Sequence, residues 1–225
     1  MRYLIKSLPI NFRDRYRSIW HTFVLELETL YGKTMKSIVR PPLPQLEDGS
    51  VNLHLGCGSV NHPKFINIDG LPASHIHYIR AIDNLSPFKN NSVNLIYACH
   101  CLEHFPYAKV PKVLAEWFRV LKPSGVLRLS VPDFDLLLDV YSKNGNDLNS
   151  ISGALMGGQN YKFNFHMAVF NRISLEEHLR SAGFKEVQEW TPGSSDLTTF
   201  EDWSDRKIFI NGQYYPVSLN IEAMK

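Results

Sequence analysis

Cysteine and long apolar runs are both scarce in this sequence. The 225 residues include only three cysteines, Cys57, Cys99 and Cys101, whose number and irregular spacing do not suit a disulfide framework. No apolar stretch reaches the roughly 18 residues that a membrane-spanning helix needs. Lys6 and Pro9 interrupt the N-terminal stretch that a signal peptide would keep apolar. We therefore expect a reducing, cytoplasmic setting and no membrane span.

A strong excess of one charge is missing as well. The formal net charge is +2, although residues 1–40 carry eight Lys or Arg against three Asp or Glu. This imbalance is too small and too local for a nucleic-acid footprint over a whole domain, so no nucleic-acid partner is expected. With 44% hydrophobic and 20% charged residues, the chain has the composition of a globular protein that buries one sizeable core.

The first 50 residues form a region of their own. Apolar residues recur there at spacings of three and four, which predicts a helix over residues 12–31 with one apolar face: Phe12, Tyr16, Ile19, Phe23, Leu27 and Leu30. We expect this face to pack on the domain. Weak contact with a membrane surface is the alternative, because Arg13, Arg15 and Arg17 lie beside it. Residues 40–50 are rich in proline and polar residues and predict a linker, which divides the chain into an extension, 1–50, and a domain, 51–225.

Short apolar strands alternate with helical stretches after residue 51. Strands are predicted in VNLHLG, FINID, HIHYIRAI, SVNLIYACH, VLRLSVP, KEVQEW and YYPVSLNIEAMK. Helices are predicted over residues 109–121 and in SLEEHLRSAG, which Ser174 would cap and Gly183 would end. This alternation predicts a doubly wound α/β fold whose mostly parallel sheet is covered on both faces.

Two glycines and one carboxylate lie at the predicted ends of neighbouring strands. Gly56 and Gly58 follow the first strand, where they allow a tight turn and the close approach of a ligand. Asp69 ends the second strand and can accept hydrogen bonds from the two hydroxyls of a ribose. A third glycine, which a dinucleotide fingerprint needs for its pyrophosphate, is absent. The pattern therefore predicts a nucleoside site without phosphates and disfavours a nicotinamide-dependent dehydrogenase.

Four segments in order resemble the motifs of the class I S-adenosylmethionine-dependent methyltransferases. They are LHLGCG, INIDG, PFKNNSVNLIYACHCLEHF and EWFRVLKPSGVLRLSVPD, and the likeness covers roughly residues 51–190. The chain is most similar to the small type-11-like bacterial group associated with glycan and cell-surface biosynthesis. This resemblance implies a seven-stranded Rossmann-like sheet with an antiparallel last strand. It also implies S-adenosylmethionine as the cofactor and S-adenosylhomocysteine as its product.

The resemblance assigns cofactor contacts position by position. It implies that the methionine part lies against Leu55, Gly56, Cys57 and Gly58, the ribose against Asp69 and Gly70, and the adenine against Ala81, Ile82 and Asp83. It further implies that Cys99 and His100 face the cofactor and the substrate. Only ten residues separate Gly58 from Asp69, so the usual first helix is expected to shrink to a single turn.

Histidines are the candidate bases for the transfer step. His is the residue best suited to take a proton near neutral pH, and we consider His166, His100 and His104 in that order, with Asp133 as an orienting group or a helix cap. The loop around His166 is rich in Gly, Asn and aromatic residues, and Gln159, Tyr161, Asn164 and His104 are predicted to bind a polar acceptor. The spacing of Cys99, His100, Cys101 and His104 does not match a zinc pattern, so no metal is predicted.

The sequence thus predicts a methyltransferase that acts on an oxygen of a sugar or another small polar metabolite. One alternative is a quinone-like or lipid acceptor, which the basic N-terminal helix and the aromatic loop would serve. The other is a cofactor-binding partner subunit without catalytic activity.

Overall fold

A nine-strand framework positions the site. The computed structural model describes residues 10–38 and 40–225. Its strands are β1 (Asn52–Leu55), β2 (Ile66–Asp69), β3 (Tyr78–Ile79), β4 (Val93–Cys99), β5 (Leu121–Pro132), β6 (Lys185–Glu189), β7 (Lys207–Ile210), β8 (Gln213–Pro216) and β9 (Ser218–Met224). Seven of them form one sheet in the order β3-β2-β1-β4-β5-β9-β6, and β7 and β8 form a separate hairpin.

The sheet is parallel except at β9. Strands β3, β2, β1, β4 and β5 run parallel to one another, whereas β9 is antiparallel to both β5 and β6. The predicted α/β fold with a seven-stranded sheet and an antiparallel last strand is therefore confirmed. β1 pairs with β2 on one side and with β4 on the other, so the strand order reverses at β1 and opens a crevice beyond the carboxyl ends of these strands.

The described helices are α1 (Ile10–Ile38), α2 (Val110–Val120), α3 (Phe134–Lys143), α4 (Ser152–Met156) and α5 (Arg172–Ser181). The helix predicted over residues 109–121 is α2. Its residues Val110, Val113, Leu114 and Trp117, at the spacing of one helix face, are buried, and Leu121 already belongs to β5. α5 begins earlier than predicted. Its N-cap is Asn171, and Ser174 completes a reciprocal capping box with it instead of capping the helix alone. Gly183 follows the helix end with φ = +104°, as its predicted role as a stop requires.

α1 is longer than predicted and does not pack as expected. Phe23, Leu27 and Leu30 are 50%, 49% and 62% exposed, so the prediction that this face packs on the domain is wrong for them. The helix instead meets the β3 edge at Gly32, where an added Cβ would lie 2.6 Å from Cβ of Pro72. The side chains of Phe12, Tyr16 and Ile19, like those of the three arginines, lie outside the described part of the chain.

The core lies on both faces of the sheet because side chains alternate along each strand. In β4, Ile96 and Ala98 face the main core with α2 and α5, whereas Leu95 and Tyr97 face an aromatic cluster with Phe65. In the described chain no helix separates β1 from β2 or β2 from β3, which confirms the predicted short first connection. None of the helices in the described residues has the length and apolar character to cross a membrane.

Candidate active site

A cavity of about 510 Å³ lies at the carboxyl ends of β1, β2 and β4. Its size is within the range of small-molecule sites. Nine residues with predicted roles line it: Gly56, Gly58, Asp69, Gly70, Ala81, Ile82, His100, His104 and Tyr161. Nine others were not predicted: Ser59, Leu71, Pro72, Ala73, His75, Arg80, Cys101, Phe105 and Phe163. The predicted strand-end residues are thus brought together at one place.

The two glycines of the first loop have different surroundings. Gly56 has φ = +62° and donates its N–H to the Ile68 carbonyl at 2.8 Å. A Cβ at Gly56 would lie 3.0 Å from Cβ of Cys101, so the loop can pack against the end of β4 only with glycine there. Gly58, with φ = +53°, has no atom within 4 Å of the place a Cβ would take, and that side is open to the cavity.

Asp69 joins the ends of β1 and β2 through its carboxylate. Oδ2 accepts a hydrogen bond from the Gly58 N–H at 2.9 Å, and Oδ1 accepts one from the Leu71 N–H at 2.8 Å. A carboxylate has about four lone-pair positions, so each oxygen can accept one more donor. Asp69 can therefore hold the glycine loop and still accept hydrogen bonds from two ribose hydroxyls. The chemistry of this donor and acceptor set fits the nucleoside part of S-adenosylmethionine.

Four residues predicted to contact the cofactor are not part of the cavity wall. Leu55 is fully buried in the core, and Cys57 packs with Ile76 and Ile79 beneath the loop, where burial raises the pKa of its thiol. Cys99 packs with the aromatic cluster on the opposite face of the sheet. The carboxylate of Asp83 is paired with Lys109. For these four the predicted contact is not supported. Strand alternation turns Leu55 and Cys99 away, Cys57 packs beneath the loop, and an ion pair holds Asp83.

A buried carboxylate behind the cavity is surrounded by three imidazoles. Glu103 is fully buried, with Oε1 3.3 Å from Nδ1 of His100 and 3.9 Å from Nε2 of His166. Neither Glu103 oxygen has a hydrogen bond of good geometry to a described residue, so the 3.3 Å approach is a close polar contact. Burial alone would raise the pKa of Glu103, but the contact with His100 and the charges of His104 and His166 hold it below its ordinary value.

Each nitrogen of these three imidazoles faces a protein oxygen. The pairs are His100 Nε2 with Ser218 Oγ (2.8 Å), His100 Nδ1 with Glu103, His104 Nδ1 with the Phe165 carbonyl and His104 Nε2 with the His100 carbonyl (3.1 Å each), His166 Nδ1 with the Ala154 carbonyl (2.9 Å), and His166 Nε2 with Glu103. His166 does not line the cavity at all. The arrangement therefore leaves no imidazole nitrogen aimed at an acceptor, and it does not support His166 or His100 as the general base.

The same cluster bears on metal binding. Glu103, His104 and His166 bring three potential ligand atoms within 4.8 Å of one another, a grouping that the spacing of Cys99 and His100 along the chain did not reveal. A metal ion there would have to displace the carbonyl contacts of His104. We assign no metal to it.

Residues 157–166 cover the cavity with aromatic rings. Tyr161 and Phe163 line it, and the Phe163 ring lies 3.0 Å from the position of a Cβ on Gly70. The amides predicted to bind a polar acceptor are used within the loop. Nε2 of Gln159 donates to the Met156 carbonyl at 3.4 Å, and Nδ2 of Asn164 donates to Oδ1 of Asn160 at 2.7 Å. Gln159 and Asn164 therefore do not support the predicted role as substrate ligands.

Asp133 caps a helix. Its carboxylate accepts the N–H of Asp135 at 3.0 Å as the N-cap of α3, and burial raises its pKa. It does not line the cavity, so the cap that the sequence allowed is confirmed and the catalytic role is not supported.

Residues 69–129 match the methyltransferase domain family. This match confirms the prediction of an S-adenosylmethionine-dependent methyltransferase domain, with that cofactor, at the level of the domain. Over 150 residues the chain is 25% identical to the ubiquinone/menaquinone biosynthesis C-methyltransferase UbiE of Blochmanniella floridana, a stretch of 64% of this chain and 56% of that protein. The chain thus spans little more than half the length of this curated relative.

Solved structures of methyltransferases are similar in fold. One is an S-adenosylmethionine-dependent methyltransferase from Methanosarcina mazei, with a TM-score of 0.49 and 18% identity over 80% of this chain and 94% of that chain. Another is the 1,6-didemethyltoxoflavin-N1-methyltransferase of Burkholderia thailandensis, crystallised with S-adenosylhomocysteine, with a TM-score of 0.47 and 15% identity over 96% of this chain and 85% of that one.

Proposed function

We propose that the protein transfers the methyl group of S-adenosylmethionine to a small acceptor with a planar, aromatic or quinol-like ring. The observation that carries the proposal is the cavity at the reversal of strand order, where Gly58 is open and Asp69 keeps free acceptor positions. The methyltransferase domain match over residues 69–129 supports the same assignment. In this proposal residues 51–225 form the catalytic domain and residues 1–50 its extension.

The chain's own residues hold the cofactor by shape and hydrogen bonding. Gly56 and Gly58 would lie along the methionine part, Asp69 and Gly70 at the ribose, and Ala81 and Ile82 against the adenine. When bound, the sulfonium supplies an electrophilic methyl group, so the protein need only align the acceptor and exclude water. Phe163, which lies over Gly70, would close the ribose end of the cavity.

The wall of the cavity favours a ring over a sugar. Phe105, Tyr161 and Phe163 present aromatic surface. The side-chain amides of Gln159 and Asn164 instead donate to Met156 and Asn160. Aromatic rings prefer offset-stacked or edge-to-face partners, which a planar acceptor supplies. The similarity to a C-methyltransferase of ubiquinone and menaquinone biosynthesis supports this class of acceptor. O-methylation of a sugar, a role in glycan or cell-surface biosynthesis and a cytoplasmic location stay predictions without such support.

The ionisation of the acceptor hydroxyl also favours a quinol-like acceptor over a sugar. A phenolic hydroxyl ionises at a pKa of about 10, so it needs less help from a base than an alcohol does. His100 and His104 line the cavity, but their ring nitrogens face protein oxygens, and His166 does not line it, so the three imidazoles offer the acceptor little help. A quinol-like acceptor is therefore better suited to this site than a sugar hydroxyl.

A methyl-transfer screen tests the proposal. The full chain is incubated with methyl-labelled S-adenosylmethionine and panels of hydroquinones, phenols, nucleotide sugars and glycans, with Asp69→Asn as the impaired variant and Asp83→Asn as the matched control. We expect label in aromatic products, lost in Asp69→Asn and kept in Asp83→Asn. Transfer to sugars alone would contradict the acceptor class. Cofactor binding without transfer to any panel member would instead indicate the non-catalytic partner subunit.

A further inference from the structure

A second cavity, of about 370 Å³, lies where α1 meets β3. Among the described residues that line it, four are basic, Lys33, Lys36, Arg40 and Arg80, and none is Asp or Glu. The basic surplus of residues 1–40 is thus partly gathered at one concave place. We call this place the basic cleft.

Local contacts hold two of these cations in the basic cleft. Nζ of Lys36 donates to the Ser74 carbonyl at 2.7 Å, and partial burial lowers the pKa of its ammonium. Nε of Arg40 donates to the Lys36 carbonyl at 3.1 Å, and its guanidinium lies 4.7 Å from the centre of the Tyr78 ring. The partners are neutral groups, so these contacts position the charges without neutralising them.

Arg80 closes the cleft on the side of the cofactor cavity. Its Nη2 donates to Asn84 and to Ser86 at 2.9 Å each, whereas its Nε is buried without a hydrogen-bond partner among the described residues. The negative charge of Glu116 acts on Arg80 at a distance. The Glu116 carboxylate itself forms an ion pair with Arg119, whose Nε lies 2.7 Å from Oε2. A buried guanidinium N–H without a partner indicates that an acceptor is missing.

The cleft keeps its positive charge at neutral pH without help from its histidine. Nδ1 of His77 accepts the Asn67 N–H at 2.9 Å, so Nε2 carries the proton and donates it to the Pro42 carbonyl at 3.2 Å. Burial lowers the pKa of His77, so this ring stays neutral. The charge of the cleft therefore comes from lysine and arginine.

We propose that the basic cleft binds a molecule carrying a phosphate or diphosphate group. Guanidinium and ammonium groups recognise phosphate oxygens through charge-assisted hydrogen bonds, and a concave wall of one charge concentrates anions. The volume suits a phosphorylated small molecule or a lipid headgroup better than a lone water-sized ion. A soluble phosphorylated molecule and a lipid headgroup both carry this chemistry. The lipid is included because α1 also exposes the apolar side chains of Trp20, Phe23 and Leu27. The site is independent of methyl transfer.

Calorimetric titration of sodium pyrophosphate into the full chain tests the site. We expect the affinity for pyrophosphate to fall about tenfold or more in the double variant Lys36→Gln/Arg40→Gln. The same fall is expected in the single variant Lys33→Gln, which changes an exposed residue. It should be unchanged in Lys143→Gln, which removes one positive charge from α3 elsewhere on the surface. S-adenosylhomocysteine titrated into the same variants should bind as in the wild type, which shows that they are folded and separates this proposal from the methyltransferase assignment.

A vesicle arm identifies the source of the phosphate group. Flotation with phosphatidylcholine vesicles, with and without phosphatidylglycerol, compares the wild type with the double variant. Association that needs both phosphatidylglycerol and the basic side chains assigns the cleft to a lipid headgroup, whereas pyrophosphate binding alone assigns it to a soluble phosphorylated molecule. Absence of both, or binding that the substitutions leave unchanged, would overturn the proposal.

Discussion

Asp69 is the single side chain on which the cofactor assignment rests most heavily. Its two oxygens accept the N–H groups of Gly58 and Leu71 and keep acceptor positions for a ribose. We predict that Asp69→Ala weakens S-adenosylhomocysteine binding by about 1.5–3 kcal/mol, because hydrogen bonds to a charged group are lost and two N–H groups lose their partner. Calorimetry measures the change, and circular dichroism should show a retained fold. An unchanged dissociation constant would place the ribose elsewhere.

Residues at strand ends could be predicted because the parallel sheet brings every carboxyl end to one edge. Gly56, Gly58 and Asp69 lie at the cavity for that reason. Leu55 and Cys99 were assigned from the family resemblance, which does not follow the alternation of side chains along a strand, and that alternation turns both into the core. Glu103 was missed because no local spacing shows that a residue 63 positions later, His166, will meet it.

At the scale of elements, the covering segment is tied to the end of β4. The Glu103 carbonyl accepts the N–H groups of Met167 and Ala168 at 2.7 and 3.1 Å, and the His166 N–H donates to the Met156 carbonyl at 3.1 Å. The His166 ring packs at 4.8 Å on that of His104. His166 thus contributes to the position of Tyr161 and Phe163 rather than facing the acceptor.

We predict that His166→Ala loosens residues 157–167. Removing the ring deletes its bond to the Ala154 carbonyl and its packing on His104, so amide hydrogen exchange in the segment should quicken and cofactor affinity should fall several-fold. Turnover should drop without a change in the pH at which the rate reaches half its maximum. A loss of the histidine-like pH dependence, with exchange and affinity unchanged, would instead restore His166 as the base.

The periodicity of the sequence predicted which segments are helices and which are strands, but it did not predict as well what each element packs against. The helix α2 was predicted because its apolar residues recur at the three- and four-residue spacing of one helix face, and α5 was predicted from its cap and its glycine stop. For α1 the same spacing is present, yet the spacing does not show whether a partner surface exists, and Phe23, Leu27 and Leu30 on that face are exposed. The β7–β8 hairpin was missed, although Asn211-Gly212, both with positive φ, is a strong turn signal between its strands.

At the scale of the whole molecule, a buried histidine sets part of the acid stability. His54 is 2% exposed among the rings of Phe65, Tyr97 and Phe200, and burial lowers its pKa from 6.5 to about 4. The pKa of His54 is lower in the folded protein than in the unfolded chain. The stability that comes from burying the neutral ring is therefore fully present above pH 6.5 and is lost as pH falls towards about 4. The shift corresponds to about 3 kcal/mol.

Chemical denaturation across this pH range measures the effect. We predict that the wild type loses more free energy of unfolding between pH 6.5 and 4 than His54→Leu, whose side chain does not titrate, whatever the stability of the variant at neutral pH. Parallel pH profiles for the two proteins would show that His54 is already protonated, or accessible to water, in the folded state.

Titration of S-adenosylhomocysteine into the full chain, beside a titration with NAD, is the most direct test of the cofactor site. The glycine loop, Asp69 and the missing third glycine predict one S-adenosylhomocysteine per chain with micromolar affinity, and no comparable heat from NAD. Tighter binding of NAD, or no binding of S-adenosylhomocysteine, would contradict the assignment of the cavity.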